Sequence, residues 1–291
     1  MRSALGDAPR NLVVTADDFG LSREVNDAVE FAHRDGILTA ASLMVGSPGA
    51  GQALEIARRT PSLRVGLHLV LVEARPVLPA VAIPDLVTKS GFLRRDLARF
   101  GLDIAVFPRV RRQLAAEIEA QFAAFQATGL NLDHVNAHKH FYIHPVIAGI
   151  VIATAVKYRA GFLRVPHEDA KMIAQIDGTG QDFTQHVMAP WTAWLKARAR
   201  NAGLHTPDQV FGLAWSGAMT KERVLALAAR LPPGITEIYT HPATGSDFEG
   251  AASSYRYADE LAALTAPQIV AAFDATGIPR CGFADIRRKL Q

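Results

Sequence analysis

Apolar and polar positions along this chain alternate between two rhythms. Short, nearly unbroken apolar runs of strand length recur at 11–16 (NLVVTA), 38–45, 64–72, 132–137, 161–166, 210–213, 236–241 and 280–283. Segments with apolar residues three and four apart lie between most of them, which is helical spacing. Ser22 caps the first of these, Val25, Ala28, Val29 and Ala32 share its face, and Gly36 ends it. Pro48 opens a second helix that runs to about 59. Further helices are predicted at 108–128, 144–159, 190–201, from Thr220 to 231, and at 258–276. Strands that are apolar throughout are buried on both faces, as in a parallel sheet covered by helices. The pattern predicts an α/β chain of seven or eight βα units, a closed or distorted TIM-like (β/α) barrel. A doubly wound open sheet ranks second, because the first turn, DDFGLS, lacks the glycine-rich phosphate fingerprint. The rhythm fails over 73–107 and 167–185, and the first of these is long enough to be a functional lid or insertion.

Length and composition then narrow the class. The 291 residues fit one such barrel, and the composition, 49% hydrophobic and 20% charged, is that of a globular protein. The net charge of +3 is small, and the basic clusters lack the interleaved aromatics of a nucleic-acid groove. No nucleic-acid partner is expected, while weak attraction to an anionic membrane surface stays open. The sole cysteine, Cys281, has no partner within the chain, which fits a reducing, cytoplasmic setting. Residues 1–14 lack the apolar core of a secretory signal. The most membrane-like run, 145–156, is twelve residues; a span needs about 20.

The candidate chemistry sits at strand C-terminal ends, which converge on one face of a barrel. Asp17 and Asp18 close the first strand, where a bend lets one carboxylate bind a metal while the other takes a proton; their alternative use is as a helix N-cap. His68 interrupts the third apolar run. His134, His138 and His140 crowd the segment HVNAHKHFYIHP, and a carboxylate with two imidazoles is a donor set for a divalent ion. Arg164 either orients a carboxylate or lies on the surface. His241 is either a general acid or a turn residue. His33, His186 and His205 have no cluster around them, His144 and His167 lie just beyond the site motifs as caps or surface residues, and Asp247, Glu249, Asp259 and Glu260 read as surface residues.

The motifs TADDFG (15–20), GLHL (66–69), HVNAHKH (134–140), LRVP (163–166) and EIYTHP (237–242) together resemble the YdjC-like carbohydrate deacetylases, over nearly the whole chain. The variant HVNAHKHFYIHP is most similar to the hopanoid biosynthesis-associated branch. The resemblance implies a single YdjC-like barrel domain over 1–291 with the 73–107 segment as its lid. It also implies one divalent ion, Mg²⁺ or Zn²⁺, held by Asp18, His68 and His138. Asp17 is then the general base and His241 the candidate general acid. Arg164 and His140 orient the site, with Lys139 and Phe19 toward substrate. Asn136 stands where the family has an acid that supports the site. The implied reaction is removal of an N-acetyl group from an N-acetylglucosamine-type sugar, on a small molecule or a glycosylated hopanoid at the inner membrane face. Family members are often homodimers. A soluble chitooligosaccharide deacetylase, a metal-dependent phosphoesterase and a non-catalytic sugar-binding protein are the alternatives.

Overall fold

The structure is a computed structural model that describes residues 9–178 and 183–290, without the side chains of 183–188. Residues 1–8 and the His186 side chain, both read in the sequence above, lie outside the described residues. Six parallel strands form one curled sheet: β1 (Arg10–Phe19), β2 (Ala40–Leu43), β3 (Arg64–Leu69), β4 (Val135–Ala137), β5 (Gln209–Phe211) and β6 (Gly234–Thr240). Their order is β4-β3-β2-β1-β6-β5. Helices α1 (Arg23–Asp35), α2 (Ala50–Arg59), α3 (Leu97–Val106), α4 (Pro108–Ala127) and α5 (Pro145–Lys157) cover the first half. The second half carries α6 (Ala170–Asp177), α7 (Phe183–Asn201), α8 (Lys221–Ala228), α9 (Tyr257–Thr265), α10 (Pro267–Ala275) and α11 (Phe283–Leu290).

The α/β class and the parallel order agree with the apolar rhythm, but among the described residues seven or eight strands and a full barrel do not form. The sheet is a half-barrel. Segment 161–166 makes single bridges, Val135 with Leu163 and Phe162 with His205, and no ladder. Pro166 has no N–H to extend one. Segment 280–283 reaches β1 at one point, Leu12 with Arg280, because α11 begins at Phe283. The predicted helix 258–276 is two helices, divided at Pro267.

The 73–107 segment is largely anchored. Ile83, Leu86, Leu93, Phe100 and Ile104 are fully buried. Two polar residues of α4 hold its start. Gln121 exchanges hydrogen bonds with the Val70 backbone (2.7 and 2.8 Å), and buried Glu117 accepts from the Val77 and Leu78 amides (2.8 and 2.9 Å). Helix α3 escaped the periodicity because apolar residues stand on its outer face as well as its inner one. Phe100, Gly101 and Ile104 are buried while Leu102 and Val106 are exposed. No helix among the described residues is long and apolar enough to cross a membrane.

Candidate active site

The site begins with a fault in the sheet. Along β1, Ala16 pairs with Ala41 and Phe19 with Leu43, so Asp17 and Asp18 together face the single residue Ser42 of β2. Two residues against one is a β-bulge, which re-aims side chains that a regular strand would send to opposite faces. Asp18 takes φ +62°, a conformation that aspartate tolerates better than most residues. Gly20 follows at φ +94°, its amide donating to Asn26 Oδ1 (2.8 Å). The bend expected from the sequence is therefore present.

Asp18, His68 and His138 converge, with one potential ligand atom from each lying within 4.8 Å of the others. Asp18 Oδ1 is 3.0 Å from His138 Nδ1 and 3.2 Å from His68 Nε2. The tautomer of His68 follows from its neighbours. Asn136 spends both amide hydrogens, on Asp17 Oδ1 (3.1 Å) and Ser42 Oγ (2.7 Å). Its Oδ1 must then accept from His68 Nδ1, 2.6 Å away. Neutral His68 keeps a free lone pair on Nε2, which is buried and has no hydrogen-bond partner. Burial works against charge on His68, but Asp17 and Asp18 outweigh it and raise its proton affinity. Burial likewise opposes ionisation of Asp18, and His138 overrides it, holding the carboxyl well below the usual range. A field that favours a proton there favours a cation as well. An unpartnered imidazole nitrogen, a second imidazole and a carboxylate are a fitting donor set for one divalent ion. Asn136 supplies the hydrogen-bond acceptor that a metal-binding histidine needs on its other nitrogen.

Asp17 faces the opposite charge. Arg164 donates from Nη1 to Asp17 Oδ2 (2.5 Å) and from Nη2 to Oδ1 (3.0 Å), and also from Nη2 to Glu237 Oε1 (2.8 Å). Thr15 donates to the same Glu237 oxygen (2.8 Å), and the guanidinium lies 4.4 Å from the Tyr239 ring centre. Arg164 is fully buried, so it orients a carboxylate and is no surface residue. Burial opposes charge on Asp17, but Arg164 and then His68 hold its carboxyl far below the carboxylate range. Asp17 stays ionised throughout the neutral range.

His241 follows β6, mostly buried, its ring against Tyr239 and Tyr255 and its Nδ1 without a partner. Its backbone amide donates to Glu260, which is fully buried and also accepts from the Met219 amide (2.9 Å). Glu260 is thus no surface residue. Asp247, Glu249 and Asp259 are exposed as expected. His140 bonds through Nε2 to Tyr239 Oη (2.9 Å); burial, with the Arg164 charge nearby, pushes it down to about 3. Lys139 is exposed and pairs with Glu73 (2.7 Å). Phe19 is fully buried in the core, a packing position and not a surface for substrate.

A cleft of about 500 Å³ opens over Asp18 and His138. Glu73, Arg75 and Phe92 line one wall, and Tyr255 and Tyr257 another. Sequence reasoning missed Ser42, Tyr239 and Glu237. Glu237 carried a usable signal, a charge inside an apolar strand. Ser42 carried none.

This arrangement can be set beside known proteins. The YdjC-like protein family matches residues 11–275. The chain belongs to that family. It is 32% identical over 263 residues to a carbohydrate deacetylase of Brevibacillus brevis, covering 89% of this chain and 92% of that one. It is 31% identical to a carbohydrate deacetylase of Geobacillus stearothermophilus (93% and 95% covered). A mouse carbohydrate deacetylase is 30% identical (96% and 95% covered). The fold is similar to the crystal structure of an Enterococcus faecalis V583 protein, with a TM-score of 0.74, 24% identity, and 96% and 99% of the two chains covered.

Proposed function

We propose that this YdjC-like protein is a metal-dependent carbohydrate deacetylase, a hydrolase that removes the N-acetyl group from an N-acetylglucosamine-type sugar. One observation carries the reading. The free Nε2 of His68 converges with Asp18 and His138 beneath a cleft, and an arginine-locked carboxylate, Asp17, adjoins them in the chain. The family membership and the curated relatives named above point to the same chemistry.

Asp18, His68 and His138 would hold Mg²⁺ or Zn²⁺. Such an ion, when bound, supplies a Lewis acid for the acetyl oxygen and lowers the pKa of water. The remaining work falls to the chain. Asp17 receives the proton of the attacking water, and pairing with Arg164 keeps it ionised and directed for that step. His241 gives a proton to the departing amine. Lys139, on the cleft wall, meets hydroxyl or anionic groups of the sugar, and His140, neutral at working pH, holds the Tyr239 hydroxyl behind it. A phosphoesterase would favour a second metal site, and one donor group of this kind occurs among the described residues.

For the acceptor we propose a lipid-linked sugar, such as a glycosylated hopanoid, met at an anionic membrane surface. The outer face of the 73–107 segment supports this. Val81, Leu102, Val106 and Phe107 are 86, 62, 54 and 52% exposed, with exposed Arg95, Arg99, Arg109 and Arg112 close in sequence. Apolar side chains among arginines are the composition of an interfacial helix. The test is acetate release from an N-acetylglucosaminyl lipid and from a soluble chitooligosaccharide, each with and without chelator. Chelator-sensitive release from the lipid alone is expected, and none from D17N with metal still bound. Release from the soluble sugar alone would move the substrate; full turnover by D17N would remove Asp17 from the chemistry.

A further inference from the structure

A second buried series of polar groups runs away from the metal ligands. Ser42, His134 and Asp133 are each at most 2% exposed. Ser42 Oγ lies 3.0 Å from Asp17 Oδ1 and 2.9 Å from His134 Nε2. His134 Nδ1 lies 2.9 Å from Asp133 Oδ2. Asp133 in turn accepts from the backbone amides of Phe283 (3.2 Å) and Ala284 (2.7 Å), in the first turn of α11. The imidazole has a prepared seat. Gly66 of β3 is the register partner of Ser42, and a Cβ there would sit 2.5 Å from the His134 ring. The ring of Phe283 lies 5.0 Å from that of His134. Burying an acid, an imidazole and a hydroxyl in series is costly unless every member is satisfied.

What the series does follows from counting donors on Asp17. Oδ1 takes two, from Asn136 and Arg164, with the Ser42 hydroxyl a third neighbour at 3.0 Å, while Oδ2 takes one, from Arg164. A carboxylate oxygen has two lone pairs, so Oδ1 is saturated and Oδ2 is the atom left to receive a proton. Ser42 is the variable member. It accepts from Asn136 and has one hydrogen, which turns either to Asp17 or to His134. The His134 ring, held by Asp133, therefore decides where that hydrogen goes.

We propose that Asp133, His134 and Ser42 are positioning residues for Asp17, a buried acid–imidazole–hydroxyl series that holds Ser42 and Asn136 against Oδ1 and so leaves Oδ2 as the basic atom. The inference rests on Asp17 acting as the base in the deacetylation proposed above. Groups that orient a catalytic or metal-binding residue change activity by about 10- to 100-fold when removed. S42A and H134Q should lower kcat by that factor at unchanged KM and metal stoichiometry, and S42T, which keeps the hydroxyl, should recover most of it. A ring-nitrogen NMR measurement on the folded protein supplies a readout that is independent of turnover. The His134 Nε2 resonance should respond to D17N, and S42A should abolish that response. Wild-type kcat in S42A, or a His134 resonance indifferent to D17N, would overturn the proposal. A wild-type chain that releases no acetate overturns the deacetylase reading instead, and the NMR response still decides whether the series is coupled to Asp17.

Discussion

Arg164 binds two buried carboxylates at once, Asp17 and Glu237. Desolvating three charges costs more than their attraction reliably returns, so the trio is better explained by what it orients than by stability. The polar residues of this site were legible in the sequence for the same reason that they are expensive. Asp17, His68 and Arg164 interrupt apolar runs of the sequence, and a buried charge without a task is rare. Ser42 was illegible because a serine in a strand carries no such signature. Glu168 behaves differently. It accepts from the Gly212, Leu213 and Ala214 amides (2.8, 2.8 and 2.9 Å), yet burial pushes its carboxyl up to about 7. The folded state then binds the proton more tightly than the unfolded chain. Stability from this group is complete below about pH 4.5 and is lost as pH rises through about 7. Denaturant melts of wild type and E168Q at pH 4.5 and 8 should differ in their gap by on the order of 3 kcal/mol, the wild type being the relative loser at pH 8. A constant gap would show that the three amides already offset burial.

Among the elements, the bulge at Asp17 and Asp18 decides the site. The residue types were readable, and so was the bend. The pairing of both acids against Ser42 was not, because register depends on a neighbouring strand. Gly20 makes the following turn possible. At φ +94°, an added Cβ would sit 3.2 Å from the Met44 carbonyl oxygen and 3.1 Å from Leu43 Cδ1. G20A should cost about 1–3 kcal/mol in a urea melt. It should also weaken Zn²⁺ binding by about 10-fold or more in calorimetry, since Asp18 lies two residues away. Unchanged metal affinity would mean that the bulge holds without its glycine. Helix α3 and the two failed strands were misread for local reasons. Periodicity misses a helix whose outer face also carries apolar residues, such as Leu102 and Val106, and it cannot see that Pro166 and the start of α11 cut a ladder short.

Across the whole molecule, β1, β3 and β4 bring Asp18, His68 and His138 together from positions 120 residues apart. An ion that binds only this folded arrangement must stabilise it by mass action. Zn²⁺ at 100 times its Kd should add about 3 kcal/mol, several degrees in Tm for a chain of this size. Chelator should reverse the gain, and H68Q should be indifferent to Zn²⁺. A metal-dependent rise in Tm that survives in H68Q would place the binding elsewhere. The amino-acid sequence alone determined the α/β class, the parallel strands and the gathering of the candidate site residues at strand ends. These follow from hydrophobic periodicity and from the cost of burying charge, and both are written locally. The tertiary structure alone decided that six strands form a half-barrel, that Arg164 clasps Asp17 and Glu237 together, and that Ser42 and His134 lie behind Asp17. Those depend on strand register and on distances between residues far apart in the chain, which no local pattern records.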